Sequence, residues 1–258
     1  MPNALSVSSP RLISALDIGS SRITCMIAEV TDTNGLDVIG IGSYRAKGIR
    51  AGQITDMDLV RYCNLQAVSA AEKKAETQIK EVHVSLSSSQ VRSTLLPVEM
   101  PLRGETIEAR HIQQLTAFAR KAVLGQAQPH NAPSSSLHVM NAIPLEFVVD
   151  GEGGISDPCG MVGSTLGTPC HVISTSLSSF TNLARCLENC HLVMRSASIA
   201  SLAAADACLT NDERELGTTL IDLGGGTTSM VVYGGNKPCY TEVLPLGGRN
   251  ITSDIANV

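Results

Sequence analysis

The chain has 258 residues, 43% of them hydrophobic and 17% charged, and a net charge of −5. That balance builds one or two folded domains and excludes a disordered chain. No block of Lys or Arg occurs, so the sequence offers nothing to nucleic acid or to an anionic membrane.

Residues 1–10 are small and polar and read as a loose start. They lack the basic region and long apolar core of a signal peptide. No apolar run approaches the roughly 20 residues of a membrane span. The eight cysteines are scattered without a CxxC pair, which fits a reduced cytosolic compartment. With no Trp and three Phe, the core has to be built from Ala, Val, Ile and Leu.

Leu12–Leu16 and Ile23–Val30 read as strands joined by the tight turn DIGSSR, and Leu36–Gly42 as a third strand. Asp56 is placed to cap a helix, because Leu59, Cys63, Ala67 and Ala70 follow near the helical period. That helix is expected to reach about Gln78. Next come strands at Val82–Ser87 and Val91–Met100, a helix over Glu108–Leu124 and a Pro/Ser loop over Gly125–Ser136. A strand over Leu137–Asp150, a Gly-rich turn (DGEGG) and a strand or two ending at Ile173 complete a small α+β unit. Its histidines (His83, His111, His130, His138 and His171) show no metal-ligand spacing.

A helix is expected over Ser178–Cys190. Cys186 and Cys190 raise the question of a metal, but with no second ligand pair they read as small side chains on one helix face. After LVMRS, the Ala-rich run Ser198–Leu209 reads as a buried helix. Asn211–Gly217 reads as a polar turn, and TSDIANV as a helix start capped by Thr252 or Ser253.

The chemistry lies in a repeat. Leu16-Asp17-Ile18-Gly19 matches Ile221-Asp222-Leu223-Gly224. Small or hydroxyl residues follow each, Ser20-Ser21 in one case and Gly225-Gly226-Thr227-Thr228 in the other, and then an apolar strand. Two related half-domains are implied, each giving one hairpin to a shared cleft. Glycines let the backbone approach an anion, and successive N–H groups in such a turn form an anion nest. Hydroxyls of Ser20, Ser21, Thr227 and Thr228 can donate to phosphate oxygens. Asp17 and Asp222 repel phosphate, and make sense as acceptors around a hydrated Mg²⁺ that bridges it. Neither a Walker A loop nor a Rossmann fingerprint is present. A tight turn with no ligand is the plain alternative for either hairpin alone.

These hairpins resemble the two phosphate motifs of the actin-like ATPase superfamily. Within it, VIGIGSYRAKGIRAGQITDMD, LHVMNAIPLEFVVDGEGGISDPCGMVGSTL and LTNDERELGTTLIDLGGGTTSMVVYGG resemble the FtsA family of bacterial cell-division proteins. The resemblance implies an α/β, actin-like ATPase (ribonuclease H-like) fold with an inserted small α+β subdomain. Residues 11–81 and 170–215 would form subdomain IA and 82–169 the IC-like insert; residues 216–258 would begin an incomplete IIA. ATP and Mg²⁺ are the implied cofactors. Asp17, Gly19, Ser20, Ser21, Arg22, Asp222, Gly224, Gly225, Gly226, Thr227 and Thr228 form the implied nucleotide site, with Asp17 and Asp222 toward the metal. FtsZ, other divisome proteins and further copies of the chain are the implied partners, at the cytoplasmic face of the inner membrane.

The sequence departs from that pattern in three ways. Ala200 stands where a Glu or Gln is common, and Asp206 lies too far along to replace it, so at most slow hydrolysis is expected. Ser229 stands where Asp is common. The chain stops at Val258, before the family's adenosine pocket and C-terminal membrane helix, and on the sequence alone it is expected to be a fragment. The alternatives are a pilus-assembly ATPase-like, chaperone-like or sugar-kinase-like protein of the same fold.

Overall fold

A computed structural model describes residues 11–33, 35–126 and 136–257. The readings of residues 1–10, of His130 and of most of the Pro/Ser loop fall outside them. Among the described residues, three larger sheets and one two-stranded hairpin carry the fold.

The first sheet starts with β1 (Leu12–Ile18), which pairs antiparallel with β2 (Arg22–Val30), and β2 with β3 (Leu36–Arg45). After the small hairpin of β4 (Ile49–Arg50) and β5 (Gln53–Ile54), α1 (Met57–Ala75) crosses back so that β6 (Glu81–Leu86) lies parallel to β1. The Asp56 carboxylate caps α1, accepting from the Leu59 N–H at 3.0 Å. The helix stops at Ala75, short of the expected Gln78, because Glu76 turns left-handed (φ 51°). Alternation along β1, β2 and β6 sends Leu16, Ile23, Ile27 and Val82 to one face, where α1 buries them. Gly42 makes this contact close: a Cβ there would sit 2.0 Å from the Ala67 carbonyl oxygen.

The second sheet has the order β10-β9-β11-β7, with β8 also paired to β11. It is built from β7 (Arg92–Pro101), β8 (Leu137–Pro144), β9 (Phe147–Val149), β10 (Glu152–Ile155) and the long β11 (Thr165–Ser176). Helix α2 (Ala109–Gln126) packs on it. The single strand expected over Leu137–Asp150 is two. Pro144 cannot donate to a ladder, and the chain re-enters beside a different part of β11. Leu102, Ile107, Leu115, Phe147, Val149 and Leu166 form a core of their own.

From β11 the chain enters α3 (Leu177–Glu188), which returns to the first core. Cys186 lies on this helix, but Cys190 lies in the turn beyond it. Both are buried against α1, where Asn64 donates to Cys186 Sγ and Cys190 Sγ donates to the Arg61 carbonyl. The segment after α3 corrects the sequence reading. VMRSASI forms β12 (Val193–Ile199), the parallel edge strand beside β6, and its polar residues face outward. Helix α4 (Ala200–Cys208) then buries only one side, through Ser201, Leu202 and Ala205. The expected polar turn holds a short helix, α5 (Asn211–Leu216), closed by a capping box between Thr210 and Glu213.

The third sheet is β13 (Thr218–Leu223), β14 (Thr228–Gly234) and β15 (Lys237–Leu244), followed by α6 (Gly248–Ala256). Helix α6 starts four residues before the expected caps. The Thr252 hydroxyl sits inside it and donates to the Gly248 carbonyl at 3.0 Å. Among the described residues, no helix is long and apolar enough to cross a membrane.

His171 ties the second and third sheets together. It is fully buried, with Nδ1 2.8 Å from the Pro238 carbonyl oxygen of β15 and Nε2 2.8 Å from Ser93 Oγ of β7. The carbonyl requires a proton on Nδ1; burial favours the neutral ring, in which Ser93 donates to Nε2. Burial lowers its pKa, partly offset by the bond to Pro238. Above pH 6.5 the folded and unfolded states carry the same charge on this group. Below 6.5 the unfolded chain takes the proton first, so stability falls until the folded ring titrates as well. Urea unfolding should show His171→Gln losing about 1–2 kcal/mol at pH 7.5. It should also show a weaker fall in stability than the parent between pH 7.5 and 5.5.

Candidate functional site

The two repeated segments fold as one device made twice. β1 turns into β2 over residues 19–22, the last of which opens β2, with Ile18 opposite Ile23; β13 and β14 are joined by residues 224–227, with Leu223 opposite Thr228. Each turn is closed by its first glycine. Gly19 N–H donates to the Arg22 carbonyl at 3.1 Å, and Gly224 N–H donates to the Thr227 carbonyl at 2.9 Å. A Cβ on either glycine would lie 2.9 Å from that same carbonyl oxygen, so both positions need glycine for one reason. The turns match residue by residue: Ser20-Ser21 stands where Gly225-Gly226 does, and Arg22 stands where Thr227 does.

The tips meet face to face. A Cβ on Gly225 would lie 2.6 Å from Ser21 Cβ, and one on Gly226 would lie 2.7 Å from Ser20 Cβ. The second turn position of each hairpin thus touches the third of the other, a local two-fold relation. A third turn joins them. Gly52, between β4 and β5, donates its N–H to Ser20 Oγ at 3.0 Å, and Ala51 N lies 3.6 Å from a Cβ on Gly226. From below, the start of α6 clamps the second hairpin: Gly248 and Arg249 donate N–H to the Gly224 and Gly225 carbonyls, each at 2.9 Å.

Asp17 and Asp222 stand two residues before the turn glycines, each supported by a serine. Ser85 of β6 donates to Asp17 Oδ1. Ser229 of β14 donates to Asp222 Oδ2 at 3.5 Å. Asp17 opens to solvent on one side, yet the protein crowds it enough to matter. Desolvation raises its pKa above the ordinary 3.8, the Ser85 bond opposes this, and the charge of Asp222 raises it further. The charge of Asp222 therefore reaches Asp17, and a cation beside the two would offset it.

The hydroxyls differ in availability. Ser21 is exposed, while Ser20 and Thr227 are buried in the turns. Thr228 is half-buried, and its hydroxyl donates to the Leu246 carbonyl at 2.8 Å. The Arg22 guanidinium lies beside Ser43 Oγ at 3.5 Å. Ala200 opens α4 without a polar side chain, and Asp206 pairs with Arg214 at 3.2 Å. The sequence reading missed Ser85 and Gly52 as neighbours of this site. Gly52 alone left a local signal, the AG turn between two short β-prone runs.

Two family models match this chain: the SHS2 domain inserted in FTSA over residues 88–174, and cell division protein FtsA over residues 219–258. The chain is similar to cell division protein FtsA of Rhizobium meliloti (strain 1021), 32% identical over 255 residues, covering 95% of this chain and 56% of the relative. It is similar to that of Neisseria meningitidis serogroup B, 32% identical over 246 residues, covering 95% and 57%. It is also similar to that of Escherichia coli (strain K12), 29% identical over 246 residues, covering 95% and 56%. The chain thus spans a little over half the length of these relatives. Among solved structures, it is similar to a chain of the PilM-PilN type IV pilus biogenesis complex, with TM-score 0.65, 19% identity and coverage of 95% of this chain and 65% of that one. The ethanolamine utilization protein EutJ from Carboxydothermus hydrogenoformans aligns with TM-score 0.52, 13% identity and coverage of 97% and 57%. At these identities the likeness fixes the fold, which is the actin-like ATPase fold.

Proposed function

Since this chain belongs to the FtsA family of cell-division proteins, we propose that it acts as a nucleotide-binding adaptor of bacterial cell division. One observation carries this reading: two hairpins of identical build meet tip to tip, with one carboxylate behind each. Bare glycine turns present backbone N–H groups, the chemistry that receives phosphate. The tips touch in this structure, so a phosphate between them has to part them.

The donor set suits Mg²⁺. Asp17 and Asp222 offer hard oxygen ligands, and the charge of Asp222 is felt at Asp17. Among the described residues, no group of three or more His, Cys, Asp or Glu is gathered to hold a metal. Mg²⁺ commonly takes one or two carboxylates and completes its shell with water and phosphate. Bound here, it would neutralise charge on the phosphates of ATP. Ser85 and Ser229 hold the two carboxylates in place, and Ser20, Ser21 and Thr227 set the turn surfaces. With Ala200 at the start of α4 and Asp206 committed to Arg214, no side chain there orients water, so turnover is slow.

By the same reading, residues 11–81 and 170–215 act as subdomain IA, 82–169 as the IC-like insert, and 216–258 as the start of IIA. The adaptor links FtsZ and the divisome to the cytoplasmic face of the membrane and associates with further copies of itself. Titration of a fluorescent ATP analogue into the 258-residue chain tests the nucleotide site. Saturable binding in Mg²⁺ should weaken at least about tenfold in EDTA, because the two carboxylates then repel the phosphates unscreened. Equal affinity in both buffers would sink the metal-bridged reading.

A further inference from the structure

The outer face of the first sheet carries two arginines whose charges the fold leaves uncompensated. Along β2 and β3, Ile23 and Tyr44 pack into the core, so Arg22, Thr24, Ser43 and Arg45 lie on the opposite face, the one that holds Asp17. Asp17, Thr24 and Ser43 stand side by side across three strands. One step nearer the hairpin turn on that face, Arg22 stands directly opposite Arg45. Side chains so placed in an antiparallel pair have Cβ atoms about 5 Å apart, and like charges there repel.

Among the described residues, neither guanidinium has a carboxylate within ion-pair distance. Arg22 reaches a neutral group, Ser43 Oγ, at 3.5 Å, and Arg45 is exposed. The surrounding sequence adds to the charge rather than cancelling it. Residues 38–55 hold Arg45, Lys47 and Arg50 and no Asp or Glu, in a chain whose net charge is −5. The same segment is fastened to the first hairpin: Ala46 N–H donates to the Ser21 carbonyl and Gly52 N–H to Ser20 Oγ, each at 3.0 Å. The opposed pair thus adjoins the turns proposed to hold phosphate, and an anion there would turn its repulsion into attraction.

We infer that Arg45, together with Arg22, receives the terminal phosphate of a nucleoside triphosphate and so makes the site select triphosphates over diphosphates. This rests on the nucleotide reading of the hairpins. A metal beside Asp17 neutralises part of a phosphate chain, and two planar guanidinium forks take up charge that remains. Arg45 carries no motif signal of its own, since it lies 23 residues after Arg22 and only the β2–β3 register brings the two together.

Arg45→Gln tests this, with Lys121→Gln in α2 of the insert as a control for net charge. Without ligand at low salt, Arg45→Gln should melt about 1–3 °C above the parent, and the gain should vanish in 1 M NaCl, because it removes the repulsion from Arg22. In Mg²⁺, the parent should hold a fluorescent ATP analogue about tenfold more tightly than the matching ADP analogue. Arg45→Gln should cut that preference to about twofold and leave ADP affinity unchanged, while Lys121→Gln behaves as the parent. Inorganic tripolyphosphate should raise the melting temperature of the parent at least about twice as much as that of Arg45→Gln. No low-salt gain would overturn the proposal, since the guanidiniums would not oppose each other. Equal loss of both analogues, or loss of neither, would also overturn it, since Arg45 would not read the terminal phosphate. If neither analogue binds the parent, the nucleotide reading itself fails, and tripolyphosphate decides alone whether Arg45 holds a phosphate chain: no shift, or the same shift in both proteins, overturns that as well.

Discussion

Gly52→Ala is expected to lose about 3–5 kcal/mol of folding stability, a large share of what a domain of this size has. Two independent costs combine. Gly52 has φ +72°, where a side chain is strained by roughly 1–2 kcal/mol. A Cβ there would also lie 1.6 Å from the Ser87 carbonyl oxygen, and that backbone belongs to the segment leaving β6. Neither partner is a flexible side-chain end, so relief requires the β4–β5 turn to lift away from the sheet. Lifting it breaks the Gly52 N–H bond to Ser20 and loosens the first hairpin. The neighbouring position provides the control. Ala51 is also left-handed, at φ 48°, and Ala51→Gly should be neutral or stabilising by up to about 1 kcal/mol. Urea unfolding of both variants decides the matter. A loss below about 1 kcal/mol for Gly52→Ala would mean that the turn moves freely and does not brace the hairpin.

The same position shows why part of this site was legible in the sequence and part was not. The hairpins were legible because their information is local. An Asp, a glycine and small residues between two β-prone runs specify a four-residue turn, and the structure closes both turns with the same hydrogen bond. The N-cap at Asp56 and the strands that bury every second residue were legible for the same reason. What brings Gly52 to Ser20, Ser85 to Asp17 or Pro238 to His171 is the packing of sheets, and no short window of sequence contains it. β12 escaped notice because an edge strand with one face outward can carry Arg195, Ser196 and Ser198 and still pair, with its register shifting between Met194 and Ser196. The Thr252 and Ser253 caps failed for the opposite reason. They are good capping residues, but Gly248 and Arg249 find acceptors on the second hairpin, so the helix begins there.

Asp17→Asn is expected to stabilise the fold while removing Mg²⁺-dependent nucleotide binding, and that pairing of opposite effects identifies a site. Asp17 has a raised pKa because it is desolvated and faces Asp222. The sign follows from that direction. A carboxyl with a raised folded-state pKa binds protons more tightly when folded, so stability rises as pH falls into its titration range. At neutral pH, where both states are ionised, the group destabilises the fold. Asparagine has no charge to bury, and its amide oxygen still accepts from Ser85. Its melting temperature should therefore exceed the parent's at pH 7, with the difference shrinking as pH falls through the titration of Asp17. Mg²⁺-dependent affinity for the ATP analogue should fall at least about tenfold, since one of two carboxylates is gone. Asp222→Ala should lose binding to a similar degree with its fold intact. It also removes one cause of the raised pKa at Asp17, so the pH dependence of stability should weaken. Were Asp17→Asn more stable and equally tight for Mg²⁺-nucleotide, the carboxylate would be an ordinary strained turn residue, and the metal would have to be held elsewhere. Were it less stable, the bond to Ser85 would outweigh the repulsion from Asp222, and the electrostatic account of the cleft would fail.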